Sequence, residues 1–538
     1  MSEPIVRVFN NPILIAQARR RLRPAQLVSS AVICGLLGIC GVLLSMVAKD
    51  RQDGFSSLEY ALLAGVGLVL LLRGSNRVAE AVREERESGL LDFHRATPTT
   101  PWTDGLGYLL GCPAREYLIA GILAAFALAC APMSKFGLPA IAGSLLVLTV
   151  NALLYHCFAL WVGLSVAYRR GASGIVIGTL ICLLLGGGSI RGLGAVTFFT
   201  PYPAISELLA SPEKATGPVS FYGFPIHVLV LTLAVQGSLL FALGHGVVRK
   251  LRQDDAASFS RLGTLYLFGW IAFLSLGAVW QFIVPGGSGQ GLASNQRESD
   301  IVILVGYLAL STVMAAALVI GQVPSYLTLL RALRRARRQG TSELSWLDDG
   351  GRCEPLTLGL WVLIIAGLFV IHRAMGSRVV GTLVGEPVAA VIASVLAYLL
   401  FVQGASEYVR FRHRGATQAV AVFVFFASHI LPWLLSFVFG GASAKTGLMV
   451  MAMSPIYAVW ASAMHLGSGW LTDSAAVTNA EFRPLSIYVS LGVTVAISAF
   501  FLIEPSLSAN LGDSNCQLCQ NPLTGSLSCP AIPRPHRQ

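Results

Sequence analysis

Charge is what this sequence has least of: Asp, Glu, Lys and Arg make up 12% of 538 residues, and lysine is confined to positions 49, 135, 214, 250 and 445. An ordinary soluble domain carries about twice that share, so this class is excluded. None of the lysines stands in a G-x-x-x-x-G-K-[ST] phosphate loop, so nucleotide hydrolysis by that route must be done elsewhere. H-E-x-x-H and G-x-S-x-G are missing too, and no aspartate pair falls inside an apolar run. A membrane-embedded enzyme would need such a cluster at one membrane face; His94, beside Asp92 and Arg95, is the one acid-base candidate in a dense polar segment. A disulfide framework is also lacking, because Cys34, Cys40, Cys130, Cys157 and Cys182 sit within apolar runs as small hydrophobic residues.

What the sequence has in quantity is apolar side chains, at 54%. They gather in runs of roughly 18 to 25 residues, the length that crosses a hydrocarbon core of about 30 Å. The runs are apolar on nearly every side rather than alternating, as in Leu118 to Ala131, which predicts helices and not barrel strands. The expected fold is an all-α polytopic membrane protein of about twelve spans, at 26–47, 57–72, 117–133, 138–166, 172–190, 226–248, 263–284, 301–323, 356–372, 386–406, 417–440 and 484–504. The first is too long for a signal peptide and lacks a small-residue cleavage pattern, so it reads as a retained anchor.

Arginine sets the orientation, because cationic flanks resist translocation. Arg19, Arg20, Arg21 and Arg23 precede the first span, and Arg331, Arg334, Arg335, Arg337 and Arg338 follow the eighth. With the N-terminus in the cytoplasm these clusters, and the one after the second span, fall on one side. The net charge of +11 is thereby accounted for by topology, and nucleic acid is not an expected partner. The expected location is the inner membrane of a bacterium.

An internal repeat organises the spans. Arg170-Gly171-Ala172-Ser173 matches Arg414-Gly415-Ala416-Thr417 at an offset of 414 − 170 = 244 residues, and the same shift carries the second, third and fourth runs onto later ones. Thr200-Pro201-Tyr202-Pro203-Ala204-Ile205 then corresponds to Ser454-Pro455-Ile456-Tyr457-Ala458-Val459. On that basis the extra apolar stretch 447–466 is an outer re-entrant piece, with a thirteen-span chain as the alternative. The expected organisation is an N-terminal interfacial helix (1–24), a first six-span half (25–250), a cytoplasmic linker (251–262), a parallel second half (263–504) and a Pro- and Cys-containing tail (505–538). In the tail Cys516, Cys519, Cys529 and His536 are weak zinc candidates, since the C-x2-C spacing suits one tetrahedral ion but the remaining spacing fits no standard finger.

Between the second and third spans, residues 77–100 are amphipathic and dense in both charges. Arg83 and Glu87 stand at i, i+4, favouring a helix; Gly89 allows a break, and Thr97-Pro98 stops a second short helix. This stretch resembles the coupling region of permeases of the type-2 ABC exporter class, a run of the form E-x-E-x-G-x-L-[ED]-x-L-x-x-T-P. Glu85, Glu87, Gly89, Leu91, Asp92, Thr97 and Pro98 match it, whereas His94 replaces the second Leu. The arginine-rich counterpart around Leu330 to Asp349 lacks the pattern, which puts a second coupling site in doubt.

The resemblance implies a permease with no cofactor of its own, driven by a separate ATPase chain, in two copies, that holds ATP and Mg. Leu91 and Phe93 would plug into that partner, with Glu84, Glu85, Arg86 and Glu87 as a polar rim. The alternative is a secondary transporter, for which Asn151, His156, Gln236 and His429 are the polar residues inside spans. The cargo is not legible in the sequence.

Overall fold

The computed structural model describes residues 11–96, 99–165, 198–210, 219–253, 257–283, 296–323, 326–340, 353–375 and 386–412, with four isolated positions beyond. The expected spans 172–190, 417–440 and 484–504, the stretch 447–466 and the tail with Cys516, Cys519, Cys529 and His536 lie outside the described residues, as do Thr97, Pro98 and His429.

Helix dominates, and its starts follow local chemistry. Helix α1 (Pro12–Arg21) opens where the Asn11 side chain accepts from the Ile13 N–H at 2.9 Å, with proline in its first turn and Arg19, Arg20 and Arg21 in its last, where cations suit the helix dipole. Helix α2 (Pro24–Val47) follows, apolar and largely uncovered on its outer face. Asp50 caps helix α3 (Arg51–Gly67), its carboxylate accepting from the Gln52 and Asp53 N–H groups.

Here the structure departs from the expected span 57–72. Through a π-helical turn at Leu68–Gly74, α3 runs on into helix α4 (Ser75–Ser88), forming one 38-residue rod. The charged segment does not end the helix because its own pairs support it: Arg77 bonds Glu80 at 2.9 Å and Arg83 reaches Glu87 at 3.5 Å. Gly89 does end it, at φ 75, a left-handed conformation open to glycine. Helix α5 (Leu90–Ala96) then turns away. Helices α6 (Pro101–Gly111), α7 (Ala114–Cys130) and α8 (Gly137–Ser165) follow. After the short α9 (Tyr202–Leu208), a hairpin pairs β1 (Val219–Phe221) with β2 (Phe224–Ile226) ahead of α10 (Val228–Arg252).

The second part comprises α11 (Arg261–Ile283), α12 (Gln296–Gln322), α13 (Tyr326–Arg338), α14 (Glu354–Met375) and α15 (Glu386–Arg412). Eight helices among the described residues are long and apolar enough to cross a membrane, and they make this an all-α polytopic membrane protein. Expected span 301–323 lies in α12, whose described apolar stretch is Ser311–Gln322.

Two apolar cores form. One gathers α3, α4, α7, α8 and α10, with α8 packed along both α4 and α10. The other gathers α11, α12, α14 and α15. Helix α11 serves both, turning Ile271, Leu274 and Ala278 to the first and Phe268 and Leu276 to the second. The expected linker 251–262 is more than a tether: Phe259 and Arg261 are buried, and Gln322 Nε2 donates to the Phe259 carbonyl at 2.9 Å and to Thr264 Oγ1 at 2.8 Å.

Candidate functional site

The turn joining α4 to α5 is exposed at its tip, and it is anchored to four helices. Glu85, 5% exposed, faces inward from α4 and accepts from Gln17 Nε2 of α1 and Tyr108 Oη of α6. His94 Nε2 lies 3.6 Å from the same carboxylate. Arg86 Nη1 donates to the Leu164 carbonyl at the end of α8, at 3.2 Å. Arg95 of α5 binds Asp92 at 2.6 Å and donates to the Leu251 and Lys250 carbonyls, at 3.0 and 3.3 Å, where α10 ends. Arg20 adds a peripheral pair to Glu84 at 3.2 Å. Between them these links tie the turn to α1, α6, α8 and α10.

Burial sets the ionisation behaviour beneath it. Loss of water pushes the Tyr108 hydroxyl up, reinforced by the adjacent Glu85 charge, and pushes the Cys112 thiol up for the same first reason. Asp104, buried in the first turn of α6, is raised by desolvation and only partly offset by the bond from Thr99 Oγ1 at 3.1 Å and by His94. These bonds hold the shape of the cluster.

Of the residues named from the sequence, Glu84, Glu87, Gly89, Asp92 and Phe93 are exposed and Arg86 is half-buried. Phe93 stands out at 64% exposure. Two assignments change. Leu91 is 2% exposed and packs into this chain's own core, and Glu85 is an internal brace rather than part of a rim. Leu90, not singled out from the sequence, is 49% exposed beside Phe93 and is the second apolar group of the tip. The swap follows from the left-handed turn at Gly89, which resets the helical register so that Leu90 and Phe93 share the outer side.

The described polar residues inside spans, Asn151, His156 and Gln236, bond to groups within the bundle. Asn151 Nδ2 donates to the Phe199 carbonyl at 2.8 Å, Tyr155 Oη to the same carbonyl at 3.3 Å, and Gln236 Nε2 to the Phe198 and Thr200 carbonyls at 3.4 and 3.3 Å. Together they pin residues 198–200 between α8 and α10. His156 holds the π-turn: its Nε2 lies 2.9 Å from the Leu70 carbonyl and therefore donates, leaving Nδ1 to accept from Tyr117 Oη at 2.8 Å. Gly74 makes room, since a Cβ there would come within 2.5 Å of His156 Nε2.

Among the described residues no three His, Cys, Asp or Glu side chains gather as a metal site would require. Compared with known proteins, the chain matches no family model, and no curated protein or solved structure shows significant similarity to it.

Proposed function

We propose that this chain is the permease subunit of an ATP-driven export system, resident in a bacterial inner membrane with its N-terminus in the cytoplasm and worked by a separate ATPase supplied as two copies. The observation that carries this reading is the α4–α5 tip. Its exposed apolar pair, Leu90 and Phe93, is flanked by the exposed charges Glu84, Glu87 and Asp92, an apolar centre with a polar rim. Behind it, bonds lead to α1, α6, α8 and α10. A partner that pushes on such a tip moves the membrane helices with it.

A fused pair of halves is supported by packing. Helix α2 packs on α3 and α7, and α3 packs on α7 and α8; likewise α11 packs on α12 and α14, and α12 packs on α14 and α15. Shifting α14 back by 244 residues places 354–375 over 110–131, where α7 (Ala114–Cys130) lies, and places 386–412 over 142–168, where α8 (Gly137–Ser165) lies. Among the described residues the second half offers no equivalent tip: α13 carries Arg331, Arg334, Arg335, Arg337 and Arg338 and no acid.

The test is co-purification with a co-expressed ABC-type ATPase from the same organism. Phe93→Ala and Leu90→Ala remove exposed groups, so the chain itself should fold unchanged while association weakens by about tenfold or more for each, the loss typical of an anchor side chain. Coupled ATP hydrolysis should fall in parallel. Unaltered association in the double variant would remove this assignment.

A further inference from the structure

Helix α3 buries Phe55, Ser56, Glu59, Leu62, Leu63, Val66 and Gly67 against its neighbours, continued in the π-turn by Leu70. Glu59 is the one ionisable member. Its side chain is fully buried, and among the described residues neither carboxylate oxygen has a hydrogen-bond partner. Glu116, the comparable buried acid at the other end of α7, has Arg73 at 3.2 Å; among the described residues Glu59 has no such cation. Burial without a partner disfavours an ionised carboxylate.

We propose that Glu59 is a proton-binding site, occupied at rest, that exchanges with the side of the membrane opposite the α4–α5 tip when α3 and α7 part. Its surroundings favour this direction. Asp53 lies 59 − 53 = 6 residues nearer the helix start, about 9 Å along the axis. It pairs with Lys135, and both are half exposed. The single-turn helix Ala131–Met133 and the end of α7 cover the acid, with Cys130 within its electrostatic reach. Of the titratable groups on that side, Cys130 stands at the end of α7, and Lys49, Asp50, Arg51 and Asp53 lie at the start of α3, with Lys135 paired to Asp53. Ser56, one turn away, is spent on the Gln52 carbonyl and the Lys135 N–H. This proposal does not rest on the export reading.

The full chain, purified in detergent, can be treated with dicyclohexylcarbodiimide, a lipophilic reagent that adds across the O–H of a protonated carboxyl, so nothing leaves and an ionised acid does not react. Peptide mass spectrometry should place the adduct on Glu59 ahead of Glu84 and Glu87, and Glu59→Gln should lose it. Labelling should fall about tenfold per pH unit once the medium is alkaline enough to draw the proton off. Because the reagent could be excluded by packing, the infrared difference between the native chain and Glu59→Gln supplies the second readout. A protonated-carboxyl C=O band that disappears in the variant supports the proposal even without labelling. A difference spectrum showing only carboxylate bands at about pH 6 overturns it.

Discussion

Glu85 shows how one side chain can read as surface in a sequence and serve as a brace in the fold. Its carboxylate accepts from Gln17 and Tyr108, so Glu85→Ala strands two buried donors and should destabilise the purified chain by about 3 kcal/mol, whereas Tyr108→Phe, which removes one bond, should cost about 1 kcal/mol. Thermal unfolding in detergent, followed by the fraction still monodisperse after heating, ranks the two; equal losses would place the brace elsewhere. The signal for burial was present in the spacing. Val78, Ala81, Val82 and Glu85 fall on one helical face, and the structure buries that face against α8. Charge density drew attention to the chemistry of Glu85 and away from its position. Leu91 carries the same lesson, since a register reset by the positive φ of Gly89 is not visible in the pattern of apolar residues alone.

At the scale of elements, hydrophobic runs gave the membrane helices well: expected 138–166 is found at Gly137–Ser165 and 117–133 within Ala114–Met133. They gave the rod poorly, because hydropathy marks where lipid ends and not where a helix ends. The continuation past Gly74 rests on ion pairs and on α8 packed alongside, neither of which raises apolarity. The π-turn is specified by residues distant in sequence, Leu70, Gly74, Tyr117 and His156, and no local signal announces it. Gly74→Ala should therefore act far more strongly than Gly121→Ala, where a Cβ meets nothing within 4 Å. The first forces His156 off the Leu70 carbonyl and should lower stability by about 1–3 kcal/mol; the second should be close to neutral. Parallel melting curves decide, and identical curves would mean the histidine latch does not matter.

For the molecule as a whole, α11 is the part that sequence reading missed. It was expected to open the second half, and it also closes the first, with Ile271, Leu274 and Ala278 in one core and Phe268 and Leu276 in the other. The hairpin reinforces this: Phe221 occupies the space beside Gly277 that a Cβ would fill, and Tyr222 Oη donates to the Phe273 carbonyl at 2.7 Å. A chain cut after Gln253 and expressed as two tagged pieces should consequently reassemble, each tag retrieving the other piece from detergent. Separate elution would show that the shared helix does not bind the halves together.

The 38-residue rod has a mechanical meaning as well. Arg51–Gly67 is 17 residues and Ser75–Ser88 is 14, so its arms are about 26 and 21 Å long on either side of the π-turn, at 1.5 Å per residue. His156 and Gly74 hold that turn against α8, which makes it a fulcrum with nearly equal arms. A rigid tilt about this point would carry Glu59 and the Ser88 end of the rod, on which the tip is mounted, in opposite directions.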